Sequence, residues 1–348
     1  MASKIIKLIG IDKYYIFRQN LHYLTLFLKY ASPKKIANFI RCEYELFFRR
    51  TRLKSMPYAA KVELNNTCNL DCALCPRKES NYGFGYASFD DFKKMFDQLK
   101  DNLFYCSPHY LGESLLHKDV AKAVRYMHKS NVGTYISTNL NYLNEQLARD
   151  LIKSGLDILS IAIDGTDQET YSMYRKRGNF NLLMKNLKMI VAQKKLLKSS
   201  TPLIEIQFIV FKYNENQIEK IKSLAKEVGI NSLKIRPGIV DYTSAASKDK
   251  EKWLPKDKRY VSELYSNSNK KKKSCWWLWR TATITWNGEV YPCCRKVLKK
   301  SYGNILKKDF RKVWNNPQFI DSRKCFRSKK KIDSPCFSCE IPYGNIHG

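Results

Sequence analysis

The sequence predicts an α/β fold: a partial (β/α)6 barrel with a helical N-terminal extension and a small Cys-rich C-terminal domain. Three observations lead to this prediction. Short β-branched and aromatic runs alternate with helical stretches between residues 60 and 237, which is typical of βαβ units and a parallel sheet. The segment 1–54 is amphipathic and basic, and six cysteines follow residue 243, where the alternation stops. Domains are therefore expected at 1–54, 55–243 and 244–348.

The N-terminal extension, residues 1–54, mixes aromatic and aliphatic residues with twelve basic side chains, and Pro33 divides it in two. It could form amphipathic helices that pack on the next domain, or a basic amphipathic surface that rests on a membrane or a partner. Packing is the commoner arrangement, and the sequence leaves both open. No stretch reaches the roughly 18 uncharged apolar residues that span a bilayer, and no cleavable secretion signal is recognisable.

The barrel is predicted from alternating strands and helices. The strands are expected at Lys61–Asn65, Leu103–Leu111, Gly133–Asn139, Asp157–Asp164, Leu203–Phe211 and Ser232–Pro237. The helices are expected at Phe89–Asp101, Val120–Ser130, Glu145–Ser154, Asn181–Lys195 and Glu215–Val228. Gly155 and Gly229 follow two of these helices, where glycine commonly ends the last turn. Six units are fewer than the eight of a closed barrel, so we expect a partial one.

The charge balance is strongly basic, with 63 Lys and Arg against 32 Asp and Glu, a net charge of +31. Such a surplus serves solubility, or it suits an acidic partner such as nucleic acid, a phosphorylated substrate or an anionic membrane. A basic Cys-rich nucleic-acid-binding protein is the non-enzymatic alternative. No recognition motif for RNA or DNA is present, and six βα units would have no role in such a protein. We therefore expect no specific nucleic acid and favour a small-molecule substrate, for which an anion would suit the charge.

Cysteine usage points to metal chemistry. Eleven cysteines without a secretion signal favour a cytoplasmic, reducing location over a disulfide framework. Cys68, Cys72 and Cys75 lie in "NNTCNLDCALCPR", directly after the first strand, at the sheet edge where barrel active sites form. Three thiolates at CxxxCxxC spacing can ligate three corners of an iron–sulfur cubane, whereas structural zinc requires four ligands. One iron would stay open to a substrate or cofactor.

These residues resemble the radical S-adenosylmethionine (SAM) superfamily. "LGESLLHKD" resembles its GEP-type motif, "STN" (Ser137–Asn139) a motif near the SAM ribose, and "SIAIDGTDQETYSMYRKRGNF" its fourth-strand segment. The resemblance covers about residues 58–240 and depends on several motifs in order. It implies a SAM-binding 4Fe–4S cluster and SAM as cofactors. It also implies reductive cleavage of SAM to a 5′-deoxyadenosyl radical, which abstracts a substrate hydrogen.

The resemblance also implies a set of SAM-binding residues. Glu113 would bind the SAM amino group and Arg175 would approach its carboxylate. Ala162 stands where many relatives have serine, and Ser160 has the same strand parity, so Ser160 is expected to substitute. His117 is expected to be a hydrogen-bonded structural histidine. The cofactor-binding residues implied in this way are Glu113, Thr138, Asn139, Ser160, Asp164 and Arg175.

The C-terminal fragments "CWW", "NGEVYPCC", "YGNILKKDFRKVW" and "CFSC" resemble the SPASM/twitch extensions of some radical SAM enzymes. A hairpin turn is expected at Asn287–Gly288. The larger version of this extension needs further cysteines after the CxxC, and residues 340–348 contain none. The resemblance therefore implies one auxiliary 4Fe–4S cluster, and a zinc site is the alternative. The ligands expected for either metal are Cys275, Cys293, Cys336 and Cys339.

Two C-terminal cysteines remain. Cys325 is expected to be a buried small hydrophobe. Cys294 could be the same, or a catalytic thiol that returns a hydrogen atom to a substrate radical. Residues 244–331 hold 25 basic and 7 acidic side chains, so we expect a thin apolar core that depends on bound metal.

The sequence thus predicts a radical SAM oxidoreductase of a small or sugar-like molecule, with the auxiliary cluster as electron acceptor. An electron donor such as flavodoxin or ferredoxin is implied. One alternative is a redox-neutral epimerase that uses Cys294 as hydrogen donor. Another is a peptide-modifying maturase. That alternative is weakened because residues 1–54 are predicted to be helical, whereas the maturases often have a leader-binding domain with a β-hairpin.

Overall fold

The structure is a computed structural model, and it describes residues 24–230, 232–240, 250–261, 275–294, 300–328, 331–337 and 339. Its strands are β1 (Ala59–Val62), β2 (Tyr105–Ser107), β3 (Gly133–Thr138), β4 (Ile158–Ala162), β5 (Leu203–Val210), β6 (Ser232–Pro237), β7 (Thr281–Ile284) and β8 (Val290–Tyr291). Across the described residues they form one sheet in the order β6-β5-β4-β3-β2-β1-β7-β8. The strands β1 to β6 pair in parallel, so their carboxyl ends share one edge.

Helices connect these strands and cover the sheet. They are α1 (Pro33–Phe47), α2 (Phe89–Asp97), α3 (Val120–Lys129), α4 (Glu145–Lys153), α5 (Gln168–Tyr174), α6 (Phe180–Leu196), α7 (Ile218–Glu227), α8 (Lys250–Trp253), α9 (Trp277–Arg280), α10 (Phe310–Trp314) and α11 (Pro317–Lys324). Polar side chains cap several of them. The Ser88 side chain accepts from Asp91 N at the start of α2, and the Asn144 side chain accepts from Leu147 N at the start of α4.

The predicted α/β partial barrel is confirmed. Gly155 and Gly229 have φ values of +84° and +80°, as expected for the left-handed residue that ends a helix. The largest error in the strands is β2, which ends at Ser107 instead of Leu111. After β2 the chain leaves the sheet and packs across the end of β1. A Cβ on Gly112 would lie 2.1 Å from Asn65 O, so this approach requires glycine.

The C-terminal region joins the barrel sheet. β7 pairs in parallel with β1, and β8 returns antiparallel after a turn at Gly288, where φ is +83°. The turn expected at Asn287–Gly288 is thus present. The expectation of a thin apolar core was wrong, because large aromatic side chains of this region are buried in one cluster with the barrel core. They are Trp279, Phe310, Trp314 and Phe319.

The domain boundaries remain predictions. The one expected after residue 243 falls between 241 and 249, outside the described residues, and positions 1–23 of the extension also lie outside them. The rest of the extension is largely helical. Tyr30 binds it to the barrel by donating to both carboxylate oxygens of Asp157, at 2.9 and 2.8 Å. No helix in the described part of the chain is both long and apolar enough to cross a membrane.

Arg323 links the N-terminal segment to the C-terminal region. Its side chain is fully buried and donates to the carbonyl oxygens of Leu278, Thr51 and Trp314 at 3.0, 3.2 and 2.9 Å. Three chain segments that are distant in sequence thus share one guanidinium.

We predict that Arg323→Met lowers the free energy of unfolding by at least about 2 kcal/mol, because a buried carbonyl that loses its donor costs about 1–3 kcal/mol. The measurement is the midpoint of urea unfolding by circular dichroism. The control is Arg327→Met, since Arg327 is exposed. Equal unfolding midpoints for the two variants would contradict the stabilising role of Arg323.

Candidate functional site

A cavity of about 720 Å³ opens between the carboxyl ends of the strands and extends down the inside of the barrel. Its wall brings together most of the predicted front-site residues. Those that line it are Cys68, Cys72, Cys75, Glu113, Thr138, Asn139 and Arg175. The residues come from four separate βα connections, and they meet because parallel strands end at the same edge.

The loop that carries the three front cysteines is held by backbone hydrogen bonds. Asp71 N donates to Lys176 O, and Ala73 N donates to Tyr174 O, at 3.0 and 2.9 Å. The loop therefore lies along the segment after α5. It ends in a 3₁₀ turn that begins at Pro76.

Donors lie near two of the three front thiols. Leu70 N lies 3.4 Å from Cys68 Sγ, Asn139 Nδ2 lies 3.7 Å from the same sulfur, and Arg175 Nη1 lies 3.6 Å from Cys72 Sγ. Such donors stabilise thiolates and bound clusters.

The donor set fits an iron–sulfur cluster. All eleven cysteines lie in the described residues, and none forms a disulfide. Within those residues no group of three or more His, Cys, Asp or Glu side chains is arranged to hold a metal ion. A cubane places its thiolates on separate corners, so it requires wider spacing than a single ion. Three thiols around one cavity can meet that requirement.

Glu113 lies at the floor of the site and joins β2 to β3. Its Oε1 accepts from Thr138 Oγ1 at 2.8 Å and from Leu115 N at 3.2 Å, and its Oε2 accepts from Asn139 N at 2.8 Å. Burial raises the pKa of this carboxyl group, and the hydrogen bonds from Asn139, Thr138 and Leu115 oppose that shift. A cationic ligand group would complete the environment of this buried carboxylate.

Arg175 lies opposite and is held by Asp164. The guanidinium donates from Nε to Asp164 Oδ2 at 2.6 Å, and from Nη2 at 2.5 Å to the same oxygen. Burial alone would lower the pKa of Arg175, but Asp164, together with Cys72, Tyr174 and Tyr171, outweighs it, and the pKa lies well above its usual value. Asp164 itself is fully buried and does not line the cavity. It positions Arg175 instead of facing a ligand.

Ser160, like Asp164, is a predicted cofactor residue that does not line the cavity. It is fully buried and donates to Glu205 Oε1 at 2.9 Å, and Glu205 pairs with Lys234 at 2.7 Å. Ala162 lines the cavity and Ser160 does not. The alternation of side chains along β4 correctly put Ser160 on the same side of the strand as Ala162. It did not show that Ser160 lies too deep to reach the cavity. His117 is structural as expected, because its Nε2 lies 2.9 Å from Ala87 O.

The four predicted rear ligands also come together. Burial, followed by the nearby thiols of Cys293, Cys336 and Cys339, raises the pKa of Cys275 well above its usual value. This second group of cysteines adjoins the cavity, because Trp276 and Trp277 follow Cys275 and line its wall.

The two remaining C-terminal cysteines occupy different places. Cys294 lines the cavity, whereas Cys325 donates to Asp321 O at 3.3 Å and packs against the core. Of these two cysteines, only Cys294 is placed where its thiol could return a hydrogen atom to a substrate radical.

Several cavity residues were missed by sequence reasoning. Lys61, His109, Tyr110 and Arg236 all line the wall. A signal existed for Lys61, since a lysine inside a short buried strand is unusual. The aromatic residues of the wall gave no such signal in the sequence, because aromatic residues in strands are equally typical of a hydrophobic core.

Comparisons with known proteins agree with this geometry. The family model described as "Radical SAM superfamily" matches residues 62–225, and the SPASM model, described as "Iron-sulfur cluster-binding domain", matches residues 275–340.

Two curated relatives match most of the chain. The antilisterial bacteriocin subtilosin biosynthesis protein AlbA of Bacillus subtilis is 23% identical, with 82% of this chain and 68% of the relative covered. The tungsten-containing aldehyde ferredoxin oxidoreductase cofactor-modifying protein of Pyrococcus furiosus is 21% identical, with 80% and 86% covered. The mycofactocin maturase MftC of Mycobacterium ulcerans is 25% identical, with 52% of this chain and 48% of the relative covered.

Solved structures share the fold. Streptococcus suis SuiB bound to precursor peptide SuiA has a TM-score of 0.61 at 17% identity, with 87% of this chain and 74% of that chain covered. The structure of anSMEcpe with bound AdoMet and Cp18Cys peptide has a TM-score of 0.55 at 17% identity, with 79% and 87% covered.

We predict that Glu113→Gln weakens SAM binding by about ten-fold or more, because a charge-assisted hydrogen bond contributes about 1.5–3 kcal/mol. The test is anaerobic calorimetric titration of the reconstituted protein with SAM. Glu169→Gln, on the exposed face of α5, is the control. An unchanged dissociation constant for Glu113→Gln would remove Glu113 from the SAM site.

Proposed function

We propose that this chain, which belongs to the radical SAM superfamily and has a C-terminal SPASM domain, oxidises an anionic small molecule bound in the cavity. Its cofactors are SAM, a SAM-binding 4Fe–4S cluster and iron–sulfur in the SPASM domain. When bound, they supply a 5′-deoxyadenosyl radical that takes a substrate hydrogen atom, and an acceptor for the second electron, while the substrate loses a proton. Cys68, Cys72 and Cys75 would hold the first cluster. One auxiliary cluster would be held by Cys275, Cys293, Cys336 and Cys339.

The observation that carries the oxidation proposal is the position of the rear cysteines. Cys275 is followed directly by Trp276, and Cys293 by Cys294, and these two following residues line the cavity. An electron acceptor held by those thiols would adjoin the substrate. The chain's own residues would therefore bind the substrate between two iron–sulfur sites.

Charge in the cavity supports an anionic substrate. Four basic side chains and one carboxylate line the wall, but two of the four already have acidic partners, because Arg175 binds Asp164 and Arg280 binds Glu43. Lys61 forms no ion pair with any of the described residues. The lumen therefore offers an uncompensated cation to a ligand.

Lys61 lies in a polar row across three strands. In register it faces Ser107 of β2 on one side and Thr283 of β7 on the other. Thr283 Oγ1 is buried without a hydrogen-bond partner in the described residues. Nearby, burial and then the charge of Lys61 lower the pKa of His109 well below its usual value. A carboxylate or phosphate group would satisfy this row.

A cytoplasmic, reducing location is part of this proposal, because thiol ligands require it. A reducing protein such as flavodoxin or ferredoxin would supply the electron for SAM cleavage.

Two further candidates follow from particular observations. Cys294 lines the cavity, which favours a redox-neutral reaction in which its thiol returns a hydrogen atom. The relatives named as a bacteriocin biosynthesis protein and a mycofactocin maturase favour peptide modification, in which a peptide side chain would enter the cavity.

We predict that the double variant Cys336→Ser/Cys339→Ser holds about four irons per chain after reconstitution instead of about eight. It should still form 5′-deoxyadenosine with a metabolite extract but yield no oxidised product. Iron analysis and mass spectrometry measure both effects. Cys325→Ser is the matched control and should keep all the iron.

The possible results separate the candidate reactions. Full yield of oxidised product from the double variant would exclude the electron-acceptor role. Loss of turnover in Cys294→Ala, with an unoxidised product in the unaltered protein, would move the assignment to the redox-neutral reaction.

We predict that the substrate in a metabolite extract is retained on an anion exchanger. Lys61→Met should lower substrate-stimulated 5′-deoxyadenosine formation by about ten- to a hundred-fold, because the variant loses a charge-assisted hydrogen bond of about 1.5–3 kcal/mol. Uncoupled SAM cleavage should not change. Lys61→Arg keeps the charge and should retain more activity than Lys61→Met. A stimulating fraction that passes through the exchanger would exclude an anionic substrate.

A further inference from the structure

Helix α1 exposes a stripe of large apolar residues to solvent. Large apolar residues recur along this helix and just before and after it, and most are more than half exposed, with Phe47 at 79%. We call this set the N-terminal apolar face. It consists of Leu24, Leu28, Ile36, Ile40, Tyr44, Phe47 and Phe48.

The inward side of the same helix is mixed: Cys42 and Leu46 pack in the core, and polar residues beside them make contacts that fix the orientation. Lys35 is buried, and its ammonium group donates to the carbonyl oxygens of Tyr30 and Asn131. Asn38 exchanges two hydrogen bonds of 2.9 Å with the backbone of Met56. A helix with its apolar stripe turned inward would lose these bonds.

Glu45 strengthens this arrangement from the other end of α1. Its carboxylate accepts from Lys54 N, Ser55 N and Ser55 Oγ, at 2.7, 3.1 and 2.5 Å. A buried carboxylate is stable only with such partners, so the helix cannot rotate without stranding a charge. Exposure of the apolar face is therefore built into the fold.

The charge around the face has one sign. Residues 24–54 contain eight basic and two acidic side chains. Neither acid faces outward freely, because Glu45 is buried and Glu43 pairs with Arg280. Arg41, Arg50 and Arg52 are exposed. The outward surface is thus apolar and cationic.

We propose that the N-terminal apolar face docks the protein on an anionic lipid bilayer. Apolar side chains surrounded by arginines match the interface of such a membrane, in which the side chains enter the headgroup region and the arginines bind anionic lipids. A second copy of the chain fits less well, because two such faces would bring like charges together.

The N-terminal apolar face continues into the wall of the cavity. Leu24 and Leu28 belong to the face, while Leu26 and Phe27 between them line the cavity. Phe27 stacks on Phe104 with ring centroids 4.1 Å apart. Bilayer contact would therefore hold one end of the barrel at the membrane while the cluster loop lies at the opposite end of the strands.

The test is flotation of the reconstituted full-length protein with vesicles of an equimolar mixture of phosphatidylcholine and phosphatidylglycerol, and with pure phosphatidylcholine vesicles. We expect binding to the anionic vesicles that weakens with salt. Phe47→Asp should lower that binding at least about ten-fold. Leu196→Asp is the matched control, since Leu196 is 70% exposed on α6, and it should bind as the unaltered protein does.

A second variant tests the charge separately. Arg41→Ser/Arg50→Ser should lower binding about five-fold for each arginine removed and flatten the salt dependence. Uncoupled SAM cleavage, measured in all variants, shows that each is folded. Absence of binding to anionic vesicles, or equal binding by Phe47→Asp and Leu196→Asp, would overturn the proposal. So would a dimer by light scattering that Phe47→Asp converts to a monomer, because the face would then bind a second copy.

Discussion

The ion pair between Asp164 and Arg175 is the interaction on which the site depends. Asp164 follows β4, and its Oδ1 also accepts from Ile209 N of β5 at 2.8 Å. Arg175 follows α5 and lies against Cys72 Sγ, while the flanking backbone at 174 and 176 holds the cysteine loop. A buried guanidinium that lost this carboxylate would be an uncompensated charge. Thus one pair determines where two strands, a helix and the cysteine loop lie relative to the cavity.

Sheet pairing fixes the rear of the molecule in a similar way. β7 extends the barrel sheet from β1, so the segment with Cys275 and the hairpin before Cys293 are aligned with the strand that leads to Cys68. Backbone pairing thereby places the front cysteines on the cavity wall and Cys275 and Cys293 next to residues that line it. Metal does not have to create this arrangement, because Trp279 and Trp314 already bury the region in the common core. Bound clusters would add stability to a fold whose path is set by the sheet.

Most of the barrel could be predicted from sequence because each βα unit is a local pattern. The front cysteines could be placed because they follow the first strand at the edge where parallel strands end, whereas Glu113 and Arg175 were implied by the resemblance to the radical SAM superfamily. Ser160 could not be placed correctly, since parity gives the face of a strand but not whether a neighbouring strand supplies a partner. Glu205 supplied one. Lys61 was missed for a similar reason, because the residues beside it belong to the strands on either side of β1. One of these strands, β7, is far from β1 in the chain, so the sequence pattern does not reveal their pairing.

Helix α1 shows why an amphipathic pattern alone does not determine orientation. Periodicity would bury Ile36, Ile40 and Tyr44, since apolar burial is the usual driving force. The buried side instead contains Lys35 and Glu45 beside Cys42 and Leu46, and the two charged side chains have hydrogen-bond partners in the interior. Turning the helix would leave those partners without hydrogen bonds, a cost comparable to the burial gained. The sequence thus keeps an apolar surface outside by anchoring polar residues inside, and an exposed apolar surface of this kind is typical of a site of interaction.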